Sequence, residues 1–162
     1  MPADAAAYRA LRLAGLAAHP EAFTSSFDED AAKPLAATEA RLAPDGDTAL
    51  FGAFVDGALV GAVGLARDPR RKRRHAAEIV AMYVAATHGR RGIGRALLAH
   101  AIAAARAAGI EQLALTVTQG NDAARALYAA AGFATFGVEP RAICVDGRYH
   151  AKEHMLLALR HD

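Results

Sequence analysis

Cysteine occurs once in this chain, as Cys144, which excludes an intrachain disulfide framework and leaves no cysteine cluster to hold a metal. Long apolar runs are missing as well. Alanine lifts the hydrophobic fraction to 54%, yet no stretch approaches the roughly 20 consecutive apolar residues that cross a bilayer. The amino-terminal MPADAAAYRALRLAGL lacks the basic start, apolar block and cleavage site of a secretory leader. These absences predict a protein of the reducing cytoplasm with no membrane partner. An excess of one charge is absent too: 19 Lys and Arg against 17 Asp and Glu give a net +2, so only local clusters can select a charged ligand. No repeat, and no linker rich in Pro, Gly and Ser, divides the 162 residues, which suit one domain over 1–162.

What is present is a regular series of elements. Asp4 introduces a helical pattern with Tyr8, Leu11 and Leu16 on one side, ending at His19-Pro20. A polar loop, EAFTSSFDEDAAKP, comes next, then a short helix from Pro34 to about Leu42. ALFGAFV, Asp56-Gly57 and ALVGAVGLA read as a hairpin, and the loop DPRRKRRH leads into AEIVAMYVA, apolar enough for a central strand. Ile93, Leu97, Leu98, Ala101, Ile102 and Ala105 recur at helical spacing up to a cap at Gly109. QLALTVT reads as a strand, Asn121-Asp122 as a helix start and Gly132 as that helix's end. FATFGV and ICV precede a second hairpin turn at Asp146-Gly147, and the closing strand runs through HMLLAL. Together these predict an α/β fold, a mixed sheet with helices packed on it.

The chemistry concentrates at residues 87–101, THGRRGIGRALLAHA, which place Gly89, Gly92, Gly94 and three arginines between a strand and a helix. Backbone N–H groups and the positive end of a helix dipole converge there on an anion. Spacing excludes two familiar phosphate loops. A dinucleotide-type G-x-G-x-x-G starting at Gly92 needs glycine where Leu97 stands, and a P-loop from Gly89 needs Lys and Ser/Thr where Arg95 and Ala96 stand.

The pattern that remains, RRGIGRALL at 90–98, resembles the acetyl-coenzyme A loop of the GCN5-related N-acetyltransferases, the GNAT family, whose signature is Gln/Arg-x-x-Gly-x-Gly/Ala. Gly92 and Gly94 match, and Gly89 takes the Gln/Arg position. Downstream, NDAARALYAAAGF at 121–133 resembles the family's Asn-x-x-Ala-x-x-x-Tyr helix followed by Gly-Phe. Asn121, Ala124 and Tyr128 fall at i, i+3 and i+7 and so line one helix face. Upstream, Glu78 stands eleven residues before Gly89, where many members carry a strand glutamate that acts as base. The similarity extends over roughly residues 48–160.

The resemblance implies a mixed, mostly antiparallel twisted sheet flanked by helices, with a cleft where the strands at 79–84 and 113–118 splay apart. The family usually has a first strand ahead of its first helix, and here that helix begins almost at Met1, so either the strand is absent or the chain starts late. Met82, Tyr83 and Val84 would receive the pantetheine arm along an open edge. The backbone of Arg90, Arg91, Gly92, Ile93, Gly94 and Arg95 would hold the pyrophosphate of acetyl-CoA, with Asn121 and Tyr128 beside it. The implied reaction is direct acetyl transfer to a primary amine of a small metabolite, antibiotic, polyamine or protein. Glu78 would be the base, directly or through water, a main-chain N–H near Tyr83 or Val84 would steady the oxyanion, and Tyr128 would be the acid. A homodimer is compatible with this scheme.

By analogy with the family, whose corresponding segments flank the cleft, acceptor specificity is expected from Phe23–Asp30 and from the hairpin at Arg141–His150. The run Arg70-Arg71-Lys72-Arg73-Arg74-His75 supports a competing class, a non-catalytic domain binding nucleic acid or another polyanion. The absence of interleaved aromatics argues for a solvated cationic turn instead. His75, His88, His100, His150 and His154 are too scattered to predict a metal site, and Cys144 reads as a small core or strand residue.

Overall fold

Tyr8, Leu11, Gly15 and Leu16 form the buried side of helix α1 (Ala5–Ala18) in the computed structural model, which describes residues 1–44 and 46–159. A 3₁₀ turn at Pro2–Asp4 leads into this helix, and no strand precedes it among the described residues. The segment after α1 is more ordered than a polar loop. It holds helix α2 (Phe27–Ala32), started by a capping box in which Ser26 and Glu29 satisfy each other's backbone N–H groups. The Ser-x-x-Glu spacing at 26–29 was the signal for it. Helix α3 (Leu35–Arg41) follows Pro34.

Six strands form one sheet: β1 (Thr48–Val55), β2 (Ala58–Arg67), β3 (Ala76–Val84), β4 (Gln112–Thr118), β5 (Ala134–Val145) and β6 (Arg148–Ala158). Their order across the sheet is β1-β2-β3-β4-β6-β5, and every pairing is antiparallel except β3 with β4. The parallel pair requires a crossover, which helix α4 (Ile93–Ala107) supplies. Helix α5 (Asp122–Ala130) connects β4 to the final hairpin. Val63, Leu65, Leu98, Ala101, Leu113 and Leu115 pack in the main core on the α4 side. On the other face Tyr8 and Leu11 of α1 cover Ala62. With helices on both sides β2 reads as an almost unbroken apolar run, as a doubly covered strand should.

Two irregularities shape the functional region. In β3 the register slips between the Ala62–Tyr83 and Gly64–Val80 pairs, and Ala81 sits at φ 53, a left-handed conformation uncommon for a residue with a Cβ. This bulge redirects the strand. In β5 the register shifts between Glu139 and Ile143, so the gap in the sequence pattern around Pro140 is an interruption within one strand. Strand β6 begins at Arg148, well before the expected HMLLAL, which places Lys152 inside the sheet.

Candidate active site

The parallel ladder between β3 and β4 is short: Ala76, Ala77 and Glu78 face Gln112, Leu113 and Ala114, and the pairing ends there. Beyond Glu78 the bulged β3 stays with β2, while β4 stays with β6 through Thr118. The sheet therefore splits into a V. From Ile79 to Val84 the edge of β3 facing β4 has no strand partner, a condition that extended ligands relieve by adding to the edge.

Above the split, the loop and the start of α4 turn their amides outward. Gly92 is the N-cap residue at φ 77, and Arg90 is also left-handed at φ 62. The first intrahelical bond of the segment runs from Ala96 N–H to the Gly92 carbonyl at 3.0 Å, so the N–H groups of Ile93, Gly94 and Arg95 belong to the unpartnered first turn of a 15-residue helix. That arrangement suits a phosphate group. A cavity of about 350 Å³ runs from this turn along β3, bounded by Met82, Tyr83 and Val84 on one side and by Asn121, Ala124 and Tyr128 on the other. Arg90, Gly92, Ile93 and Gly94 close its upper end. Arg91 is exposed outside this lining, and Arg95 lies instead along a groove between α4 and α5.

Asn121 caps α5, its Oδ1 accepting from the Ala124 N–H at 3.2 Å. Gly89 is extended rather than left-handed, and a Cβ there would stand 3.3 Å from the Ala86 carbonyl oxygen. A side chain in the place where the resemblance leads one to expect Gln or Arg would need that carbonyl to shift by a few tenths of an ångström.

Tyr128 belongs to α5 on the α4 side of the sheet, yet it borders both the cavity just described and a second one of about 460 Å³. Its ring packs edge-on to Phe133, with 6.1 Å between centroids, and the residue is only 7% exposed. Burial pushes its hydroxyl pKa up to about 12, so the phenol keeps its proton at neutral pH. Tyr128 is the hinge point between the two chambers.

The second cavity lies on the opposite face of the sheet. Glu78 lines it from the last rung of the parallel ladder, exposed to the space rather than to the core. Strand parity places Glu78, Ala114, Thr116 and His154 on this face, because directly opposed residues share a side. Phe23, Thr24 and Ser25 form another wall. Of the 23–30 segment, only these first residues line the cavity. Glu29 is occupied by its capping box, and Asp30 is bonded to Arg12 and to Lys33 Nζ, the latter at 2.5 Å. Burial opposes ionisation of Asp30, but the two cations outweigh it and hold the carboxyl below its usual range.

From the carboxy-terminal hairpin, the cavity receives Phe136, Lys152 and His154 rather than the tip at Arg141–His150. Lys152 is 8% exposed and donates to Thr24 Oγ1 at 2.8 Å. Burial lowers its pKa, opposed by the charge of Glu139. The His154 ring meets Glu139 Oε2 at 3.2 Å and packs against Phe136, with 6.0 Å between centroids. The sequence reading missed Lys152 because it started the last strand at His154; Phe136 and His154 lay within strands it did recognise, but no local spacing pointed them into a cavity. Arg12 was missed too, although it stands four residues after Tyr8 and four before Leu16, on the side of α1 that turns inward.

Elsewhere, the basic turn holds Arg71–Arg73 in a 3₁₀ segment, and Asp68 engages Arg70 at 2.5 Å and Arg73 at 3.8 Å. Cys144 is on β5 but exposed, so it is a strand residue and not a core one: its side chain lies on an uncovered face. Among the described residues no helix is long and apolar enough to cross a membrane, and no group of three or more His, Cys, Asp or Glu gathers to hold a metal.

A sheet split after a short parallel ladder, an anion-ready helix start above the split and a chamber on each side define an acetyltransferase-type fold. Residues 13–133 match the Acetyltransferase (GNAT) family, and the chain belongs to it. An acetyltransferase of the GNAT family from Streptococcus pneumoniae is 26% identical and superposes with a TM-score of 0.84, covering 98% of this chain and 96% of that one. Ribosomal-protein-alanine N-acetyltransferase from Brucella melitensis is 25% identical with a TM-score of 0.79, covering 98% and 96%. The yncA protein from Salmonella typhimurium, solved with its cofactor acetyl-CoA, shares the fold at 24% identity and a TM-score of 0.82, covering 100% of this chain and 92% of that one. No curated relative matches the sequence.

Proposed function

We propose that the protein transfers the acetyl group of acetyl-coenzyme A to a primary amine by direct attack inside the split sheet. The carrying observation is that the open edge of β3 beyond Glu78 joins the unpartnered amides at 93–95 to a chamber that meets the acceptor cavity at Tyr128. Acetyl-CoA supplies the activated acyl group when bound. The edge at Met82–Val84 holds its amide arm, and the start of α4 holds its pyrophosphate.

An alkyl amine has a pKa of about 10.4 and must lose a proton before it can attack. Glu78 takes that proton, directly or through water, as the amine nitrogen bonds to the thioester carbon. A main-chain N–H near Tyr83 or Val84 steadies the negative charge on the carbonyl oxygen. Tyr128, still protonated, gives its proton to the departing sulfur as the carbon–sulfur bond breaks. No acyl-enzyme is required.

Thermal-shift titration with acetyl-CoA tests the first half, since a ligand of the native state raises apparent stability. Absence of any shift at saturation overturns the reading. A screen of primary amines for release of the coenzyme A thiol tests the second half.

A further inference from the structure

Two charged side chains are buried among the described residues, Asp30 and Lys152. They are treated differently by the fold. Asp30 has two cationic partners, Arg12 and Lys33. Lys152 has no direct one: among the described residues no carboxylate lies within ion-pairing distance, its cross-strand neighbour Glu139 engages His154 instead, and its hydrogen bond is the donation to Thr24. An ammonium carries three donors, so two remain for whatever enters the cavity it lines. A buried charge without a direct ion pair is costly unless something that enters beside it supplies one.

The cavity is also charged asymmetrically. Among the described residues lining it, Glu78 supplies the one carboxylate, whereas Arg41 and Lys152 stand on other walls, and the charge of Arg12 is already matched by Asp30. Glu78 faces Ala114, which faces Leu156, and Lys152 lies four residues from Leu156 towards the open end of the V. Two strand spacings across and four residues along put the two backbones about 16 Å apart, a gap the two side chains shorten from both ends. Thr116 lies between them on the same face.

We propose that this cavity selects primary amines that also carry an oxyanion group, a carboxylate or an oxyacid of phosphorus, with Lys152 pairing the anion while the amine faces Glu78. The inference rests on the acetyl-transfer reading above and narrows its acceptor. Lys152 is here a specificity-determining residue, held in aim by Thr24.

The test uses the full chain and matched acceptors: a series of ω-amino acids of increasing length, their amides, and the corresponding aminoalkyl phosphonates, each assayed by thiol release at saturating acetyl-CoA. The expected result is a kcat/KM about tenfold or more higher for the acids or phosphonates than for the amides, the size of losing a charge-assisted bond. The two anionic arms identify the oxyanion. Lys152→Met should bring the acid-to-amide ratio towards one, chiefly through KM, and Lys152→Arg should restore part of it. Thr24→Val leaves the ammonium in place and should raise KM for the anionic acceptors, which guards against a Lys152 variant that fails to fold. Amides used as well as acids, or a preference that survives Lys152→Met, overturns the inference and leaves the acetyltransferase reading standing. So does a screen in which no anionic amine reacts although acetyl-CoA gives its thermal shift. A protein with no such shift loses both readings at once.

Discussion

Glu78 faces Ala114 on the last rung of the parallel ladder, so its carboxylate stands where the sheet divides. One residue further along, the strand has lost its β4 neighbour, and both Glu78 and the residues after it line the larger of the two chambers that meet at Tyr128. In the proposed mechanism Glu78→Gln lowers kcat/KM by about 10²–10⁴-fold, the range for a positioned base. Steady-state rates check it. The defect should shrink with an acceptor amine of low pKa, which needs no base, and an equal defect for all amines would remove Glu78 from that role.

Tyr128 touches both chambers and keeps its proton because it is buried. Tyr128→Phe preserves the ring packing on Phe133 and removes the hydroxyl. Turnover should fall by about 10²-fold or more, with the thermal shift caused by acetyl-CoA nearly intact. Comparing kcat with the acetyl-CoA titration separates a lost acid from a lost binding contact.

Gly92 sits at φ 77, and a Cβ there would meet nothing within 4 Å. Any penalty for Gly92→Ala is therefore conformational, about 1–2 kcal/mol for a left-handed residue with a side chain. The urea midpoint should drop accordingly. Relaxation of the loop to a right-handed conformation would turn the amides away, so acetyl-CoA should bind less tightly as well.

Asp30 joins α2 to α1 through Arg12 and to its own helix end through Lys33. Asp30→Asn should cost about 2 kcal/mol at neutral pH, the scale of a hydrogen bond to a charged group. The folded-state pKa lies below the unfolded value of about 3.9. Its contribution is therefore full above that value and is lost as pH falls through it towards the folded pKa. Urea melts taken from pH 7 downwards should show a shallower acid loss in the variant than in the parent.

Local rules made most of the fold legible. Periodicity and caps located α1, α4 and α5, and the Asp56-Gly57 and Asp146-Gly147 turns located both hairpins. Boundaries failed where tertiary pairing extends a strand past its apolar residues: β6 continues back to Arg148 because β4 and β5 flank it, although Lys152 and His150 are polar. The helix at Phe27–Ala32 was hidden by its polar surface, despite its capping box.

The sequence by itself determined the glycine-arginine loop ahead of α4 and the Asn121 to Tyr128 face, because both depend on spacing within one element. Tertiary structure alone decided that Ala81 bulges, that β3 and β4 part after Glu78, and that Lys152 enters a cavity beside Thr24. These are relations between residues distant in the chain. Strand register and burial fix them, and no local pattern carries either.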